Sequence, residues 1–213
     1  MADHTGQADL AIGAGAAVKS VPGGFVLGCK GDATAYAQSS GRLIDVGQSF
    51  TVSAWVVNDA ATGPRSAISQ GDGPSFSFDL GRDDSGGSTA WVFRVQTGGG
   101  GSDATAVQVR AANGDPLHGF ALLTGVYDAG QHTITLYVNG TAAGSATVSG
   151  VWAAPGPLEL GRSRHQGAWT SPWTGVLGHV QIWNRALSAA QVAAVKANGG
   201  AGPDAPPIDS WLV

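Results

Sequence analysis

The chain has 213 residues, of which 43% are hydrophobic and 12% charged, with a formal net charge of −4. That is enough apolar material for one sizeable core. The negative balance and the three lysines (Lys19, Lys30 and Lys196) exclude the basic footprint of a nucleic-acid binder and a basic membrane-surface helix.

No apolar run is long enough to span a bilayer. The opening MADHTGQADL has neither the basic start nor the apolar stretch of a secretion signal, so the chain is expected to be a module of a longer exported protein or to leave the cell by another route. A single cysteine, Cys29, excludes an intramolecular disulfide, and its place in GFVLGC predicts a small buried hydrophobe.

Strand-like stretches follow one another at short spacing. ADLAI, GFVLGC and TAYAQ come first, then SFTVSAWVV (49–57), SAISQ, SFSFDL, TAWVFRVQT and TAVQVRA. TGGGGSDA and ANGDP between the later ones read as loop tips. FALLTGVYD leads into a hairpin: Ile134, Leu136 and Val138 alternate with Thr133, Thr135 and Tyr137 before Asn139-Gly140 turns the chain. The polar face of that hairpin is expected to lie beside a ligand or another module. PLELG and GVLGHVQIWN close the series. Many alternating strands with turn signals between them predict an all-β fold, an antiparallel sandwich of two sheets.

One short C-terminal helix is expected near 188–197, with Ser188 and Gln191 as a capping box and Asn198-Gly199 as its stop. Residues 1–200 are read as the domain, and 201–213 as a Pro/Gly linker followed by a strand in IDSWLV.

SFTVSAWVV, LLTGVYDAGQHTITLYVNG, GPLELGR and above all GVLGHVQIWNRALSAAQVAAV together resemble the LamG-like jelly-roll family, within the concanavalin A-like lectin/glucanase superfold. The resemblance spans roughly residues 3–197 and implies a jelly roll. The Ala/Gly-rich composition is similar to actinobacterial versions, which sit in large exported proteins, extracellular or at the cell surface. The family's structural calcium would implicate Asp3, but the acidic pair that often precedes the last core strand is replaced by Gly178 and His179, so calcium is expected to be dispensable. Phe120 and Leu122 likewise replace a family Trp-x-His. The family's opening strand is missing before Asp3, and residues 208–213 are expected to fill its slot beside the last core strand, in the same or a neighbouring copy.

Glucanases of the superfold imply a test for catalysis. Glycoside hydrolysis needs two placed carboxylates, yet the chain has one glutamate, Glu159, and the adjacent Asp83-Asp84 diverge in a loop. The histidines show no metal-ligand spacing. A non-catalytic binding or adhesion module is therefore expected, recognising a glycan or a protein surface. A structural spacer or assembly module, such as a virion or toxin component, is the alternative, and a glycoside hydrolase the least supported.

Two sets of residues are candidates. Ser77, Asp79, Arg94, Gln96, Gln108 and Arg110 share one strand face if their strands are neighbours, and such planar donors and acceptors suit sugar hydroxyls; the alternative is an ordinary solvated face. The loop GRSRHQGAWTSPWTG gathers Arg162, Arg164, His165, Trp169 and Trp173, where each tryptophan is either a platform for a pyranose ring or a lid on the core edge.

Overall fold

The structure is a computed structural model that describes residues 1–6, 8–99, 105–111 and 117–212. In chain order the strands are β1 (Ala11–Ile12), β2 (Ala16–Val21), β3 (Gly24–Lys30), β4 (Ala37–Gln38), β5 (Phe50–Asn58), β6 (Arg65–Gln70), β7 (Phe78–Asp83), β8 (Ala90–Gln96) and β9 (Ala106–Arg110). They continue as β10 (Phe120–Asp128), β11 (Thr133–Val138), β12 (Thr141–Thr147), β13 (Leu158–Leu160), β14 (Ser163–His165), β15 (Ala168–Thr170) and β16 (Thr174–Trp183). The helix α1 (Ala189–Asn198) and a last strand, β17 (Asp209–Trp211), complete the fold.

Among the described residues these form two large antiparallel sheets. One has seven strands in the order β1-β4-β13-β6-β7-β8-β9, and the other eight, β12-β11-β10-β5-β16-β3-β2 with β17 also on β16. The main core lies between them, built from alternate residues such as Val52, Ala54 and Val56 of β5, Phe78 and Leu80 of β7, and Ile134 and Leu136 of β11. Sequence and structure agree on the all-β jelly-roll class. The loop tips foreseen at 97–104 and 112–116 fall largely outside the described residues, as does Val213.

The Asn139-Gly140 hairpin forms as its sequence requires. Both turn residues have positive φ, 52° and 81°, which matches the twist of the flanking strands. Its polar face is only partly open: Tyr137 packs with Leu122, Val126 and Trp183 beneath Leu187, Val192 and Val195 of the helix segment, while Thr133 and Thr135 are half-buried. Ser188 caps α1, with Gln191 completing the capping box, and Gly199 closes it at φ 74°.

β16 changes partner along its length. Thr174–Gly178 pairs with β3, and Val180–Ile182 pairs with β17. The change falls at an irregularity where His179 takes φ 47°. Trp211 of β17 is 0% exposed and its indole N–H donates to the Ala8 carbonyl at 2.9 Å.

Candidate functional site

Cross-strand register places six side chains in one row on the outer face of the seven-stranded sheet: Gln38, Glu159, Ser69, Asp79, Arg94 and Gln108. Each is directly opposite the next, and the alternate positions Ile68, Leu80 and Phe93 point into the core. The polar alternation read in the sequence thus becomes a single polar stripe.

Most of that stripe is sealed rather than wet. Asp79 is fully buried; its Oδ1 accepts from Ser66 Oγ at 2.5 Å and its Oδ2 from Arg94 Nε and Nη2 at 2.9 and 2.7 Å. Gln96 is also buried, donating to Ser75 Oγ at 3.3 Å and accepting from Thr105 Oγ1 at 2.6 Å. The buried Ser77 hydroxyl accepts from the Ala154 amide. Asp79, Gln96 and Ser77 therefore hold the sheet and its loops together and cannot touch a ligand directly, because each needed a partner once buried. Arg110 pairs with Asp83 at 3.1 Å and donates to the Ser88 carbonyl, clamping the turn between β7 and β8. Burial raises the Asp83 pKa, but hydrogen bonds from Ser85 and the charges of Arg94 and Arg110 outweigh it and hold the carboxyl below its ordinary range. Gln108 is exposed.

At the other end of the stripe Arg162 fastens Glu159 (Nε to Oε2, 2.8 Å) and Gln38 (Nη2 to Oε1, 2.9 Å). Its guanidinium lies 3.3 Å from the Tyr36 ring centroid and 4.0 Å from that of Trp169. Burial pushes the Glu159 pKa up to about 7 against the pull of Arg162. Glu159 and Asp79 are two strands apart on the same row, but both are fully buried and each is bound to an arginine, so neither can serve as a glycosidase acid or nucleophile in this arrangement.

The tryptophan loop folds as the β14–β15 hairpin, bridged to the sheet by Ser75 and His165. Trp169 stays half-buried, with Arg162 and Arg164 against its ring; Arg164 is anchored by the Gly73 carbonyl at 3.0 Å and Asp72 at 3.4 Å. Trp173 is not a platform. It is 0% exposed, stacked on Trp91 (6.4 Å between centroids, 15° between planes), and its indole N–H donates to the Val57 carbonyl. A ring at the start of β16 is drawn into the core because only there are both its apolar faces and its N–H satisfied.

What remains accessible is a groove of about 500 Å³ between β8–β9 and the β14–β15 hairpin. Three candidates meet there, Arg94, Gln108 and His165, together with Phe76, Asp83 and Thr170. The sequence had not assigned Phe76 or Asp83 to a site. Arg94 sits 5.4 Å over the Phe76 ring.

Hydrogen bonds within the chain engage Asp3: its carboxylate accepts from the Thr5 amide and hydroxyl, the Ala8 amide and the Ser210 amide. Among the described residues no three His, Cys, Asp or Glu side chains are grouped to hold a metal. Asp3 instead ties the N-terminal segment to β17. Burial and the neighbouring Asp3 push the Asp209 pKa up to about 6.

Comparison with known proteins agrees with this geometry at the level of fold. Domain 4 of AbnA, a GH43 extracellular arabinanase from Geobacillus stearothermophilus, solved with arabinotriose, superposes with a TM-score of 0.67 at 17% identity, covering 90% of this chain and 88% of that one. The Ruminococcus gnavus IT-sialidase CBM40 bound to α2,3-sialyllactose gives 0.56 at 16% identity, over 70% and 83%. The receptor-binding domain of botulinum neurotoxin type G gives 0.62 at 10% identity, over 89% and 46%. The comparison with curated proteins finds no match. A laminin G-type family model matches residues 31–193, so the chain belongs to the concanavalin A-like lectin/glucanases superfamily.

Proposed function

We propose that the chain is a non-catalytic binding module that takes a neutral glycan in the groove over the seven-stranded sheet, within a larger extracellular or cell-surface protein. The observation that carries this reading is the groove's charge balance. Arg94 is matched by Asp79 and Arg110 by Asp83, so what the groove offers is hydrogen bonding led by the exposed Gln108 amide, with His165 and Thr170 on the facing wall. Sugar hydroxyls are recognised by amide and hydroxyl groups held on a rigid sheet. The structural neighbours solved with arabinotriose and sialyllactose support glycan as the ligand class.

A glycan array with the purified chain, followed by calorimetric titration of the best hit, tests it. Gln108→Ala is expected to weaken binding at least about tenfold while leaving the melting temperature unchanged, since Gln108 is exposed. A blank array, or a hit indifferent to Gln108→Ala, overturns the reading and leaves the structural spacer.

A further inference from the structure

We propose that the outer face of the eight-stranded sheet carries a second binding site, for an amphiphilic carboxylate such as a medium-chain fatty acid. It is independent of the glycan groove, which lies on the opposite layer. Helix α1 covers part of this face, where Leu122, Val126 and Trp183 are buried beneath it. Beside the helix, towards the turn between β2 and β3, an open groove of about 880 Å³ remains, walled by Val21, Phe25, Trp55, Phe120 and Leu212.

These walls are unusually exposed for their chemistry: Phe120 is 63% accessible, Phe25 48% and Val21 39%. Phe120 stands edge-on to Trp55 with centroids 6.0 Å apart. A contiguous exposed apolar patch of this kind marks a binding surface, and an acyl chain laid along it would remove that area from water.

The polar rim specifies the head group. Among the described residues no carboxylate lines the groove, and the one charged side chain there is the Lys196 ammonium, 4.5 Å over the Trp55 ring. Among the described residues no carboxylate comes within salt-bridge distance of Lys196. Asn139 has its Oδ1 taken by the Leu122 amide at 2.9 Å, which leaves its NH₂ as a donor. His179 is held below its ordinary pKa by burial and by His4, so it adds no charge at neutral pH. In a chain of net charge −4, a groove whose described lining holds an ammonium and an amide donor but no acid complements an anion with an apolar body. The rim is also fixed in place: a Cβ at Gly140 (φ 81°) would approach Lys196 Cβ to 3.0 Å, so the hairpin turn sits hard against the helix that presents the lysine.

The test is calorimetric titration of the full chain with dodecanoate below its micelle concentration, beside the uncharged monodecanoylglycerol. One dodecanoate per chain is expected, weakened about tenfold or more by Lys196→Met, which keeps the stem and removes the charge. Phe120→Ser, a change at an exposed side chain, is expected to weaken both ligands without lowering the melting temperature. Absence of dodecanoate binding, or affinity unchanged in Lys196→Met or Phe120→Ser, overturns the proposal, as does tighter binding of the uncharged lipid. Glycan binding through Gln108 is untouched by either result, so the two sites fail separately.

Discussion

Trp211→Ala asks whether the C-terminal strand is a full member of the eight-stranded sheet. The indole is completely buried in the main core, and its ring nitrogen donates to Ala8 of the N-terminal segment. Truncating a buried Trp costs about 3–5 kcal/mol. The lost indole hydrogen bond adds about 1 kcal/mol, part of which returns when water reaches the Ala8 carbonyl. A net loss of about 4 kcal/mol at roughly 2–4 °C per kcal/mol lowers the melting temperature by roughly 8–16 °C in a chain of this size. Calorimetry and urea unfolding followed in the near-ultraviolet both report it. Deleting residues 207–213 is expected to cost at least as much, because Val180–Ile182 of β16 then loses the partner on one edge and keeps only β5 on the other. A drop of under about 2 °C for either variant refutes the assignment of β17 to the sheet.

Four further outcomes are expected. Because the folded-state pKa of Asp209 is raised to about 6, its contribution to stability is fully present below the unfolded carboxylate value and is lost as pH rises through about 6; Asp209→Asn is therefore expected to raise the melting temperature at pH 7.5 by roughly 2–4 °C and to flatten the profile between about pH 4 and 6 in thermal scans. Asp79→Ala removes the buried oxygen that accepts from both Nε and Nη2 of Arg94, along with the acceptor of Ser66, and is expected to cost about 3–5 kcal/mol in urea unfolding. Gly125→Ala would put a methyl 2.6 Å from the Phe93 ring and is expected to cost about 1–3 kcal/mol, read as a lower urea midpoint at unchanged slope. EDTA is expected to leave the melting temperature unchanged, since backbone and hydroxyl donors already engage the Asp3 carboxylate.

Legibility in the sequence followed the range of the signal. Asn139-Gly140 and the Ser188–Gln191 capping box are local, and both appear where their residues put them. The alternation of SFSFDL and TAWVFRVQT separates core-facing Phe78, Leu80, Phe93 and Val95 from the outward residues between them, but it puts Phe76 on the core face, whereas that ring lies ahead of β7 beneath Arg94 on the outer face. It does not say whether the outward face is wet, because what seals Asp79, Gln96 and Ser77 arrives from Ser66, Thr105 and Ala154, distant in sequence. Strand β2 was missed for the opposite reason: nearly all of it is exposed, so AAVKSV carries no apolar period. Trp169 and Trp173 lie four residues apart, each followed by a threonine in the same polar loop. Only the stack on Trp91, set by how β16 enters the sheet, decides which is core.

The polar stripe grades from sealed to open across the sheet, and this divides its residues by what they can tolerate. At the β13 end, Tyr36, Arg162 and Trp169 close over Glu159, and at β7 Asp79 is spent on Ser66 and Arg94. A substitution there leaves a buried charge or acceptor unpaired, and the cost falls on the fold. At the β9 end Gln108 is exposed and faces the groove with no such obligation, across from Thr170 on β15. On the proposed reading, a change at Gln108 is expected to alter what the groove holds while the sandwich stays intact. What the groove binds is therefore set, on that reading, by β9 and the β14–β15 hairpin, while the Arg162–Glu159 and Arg94–Asp79 pairs hold the scaffold beneath them.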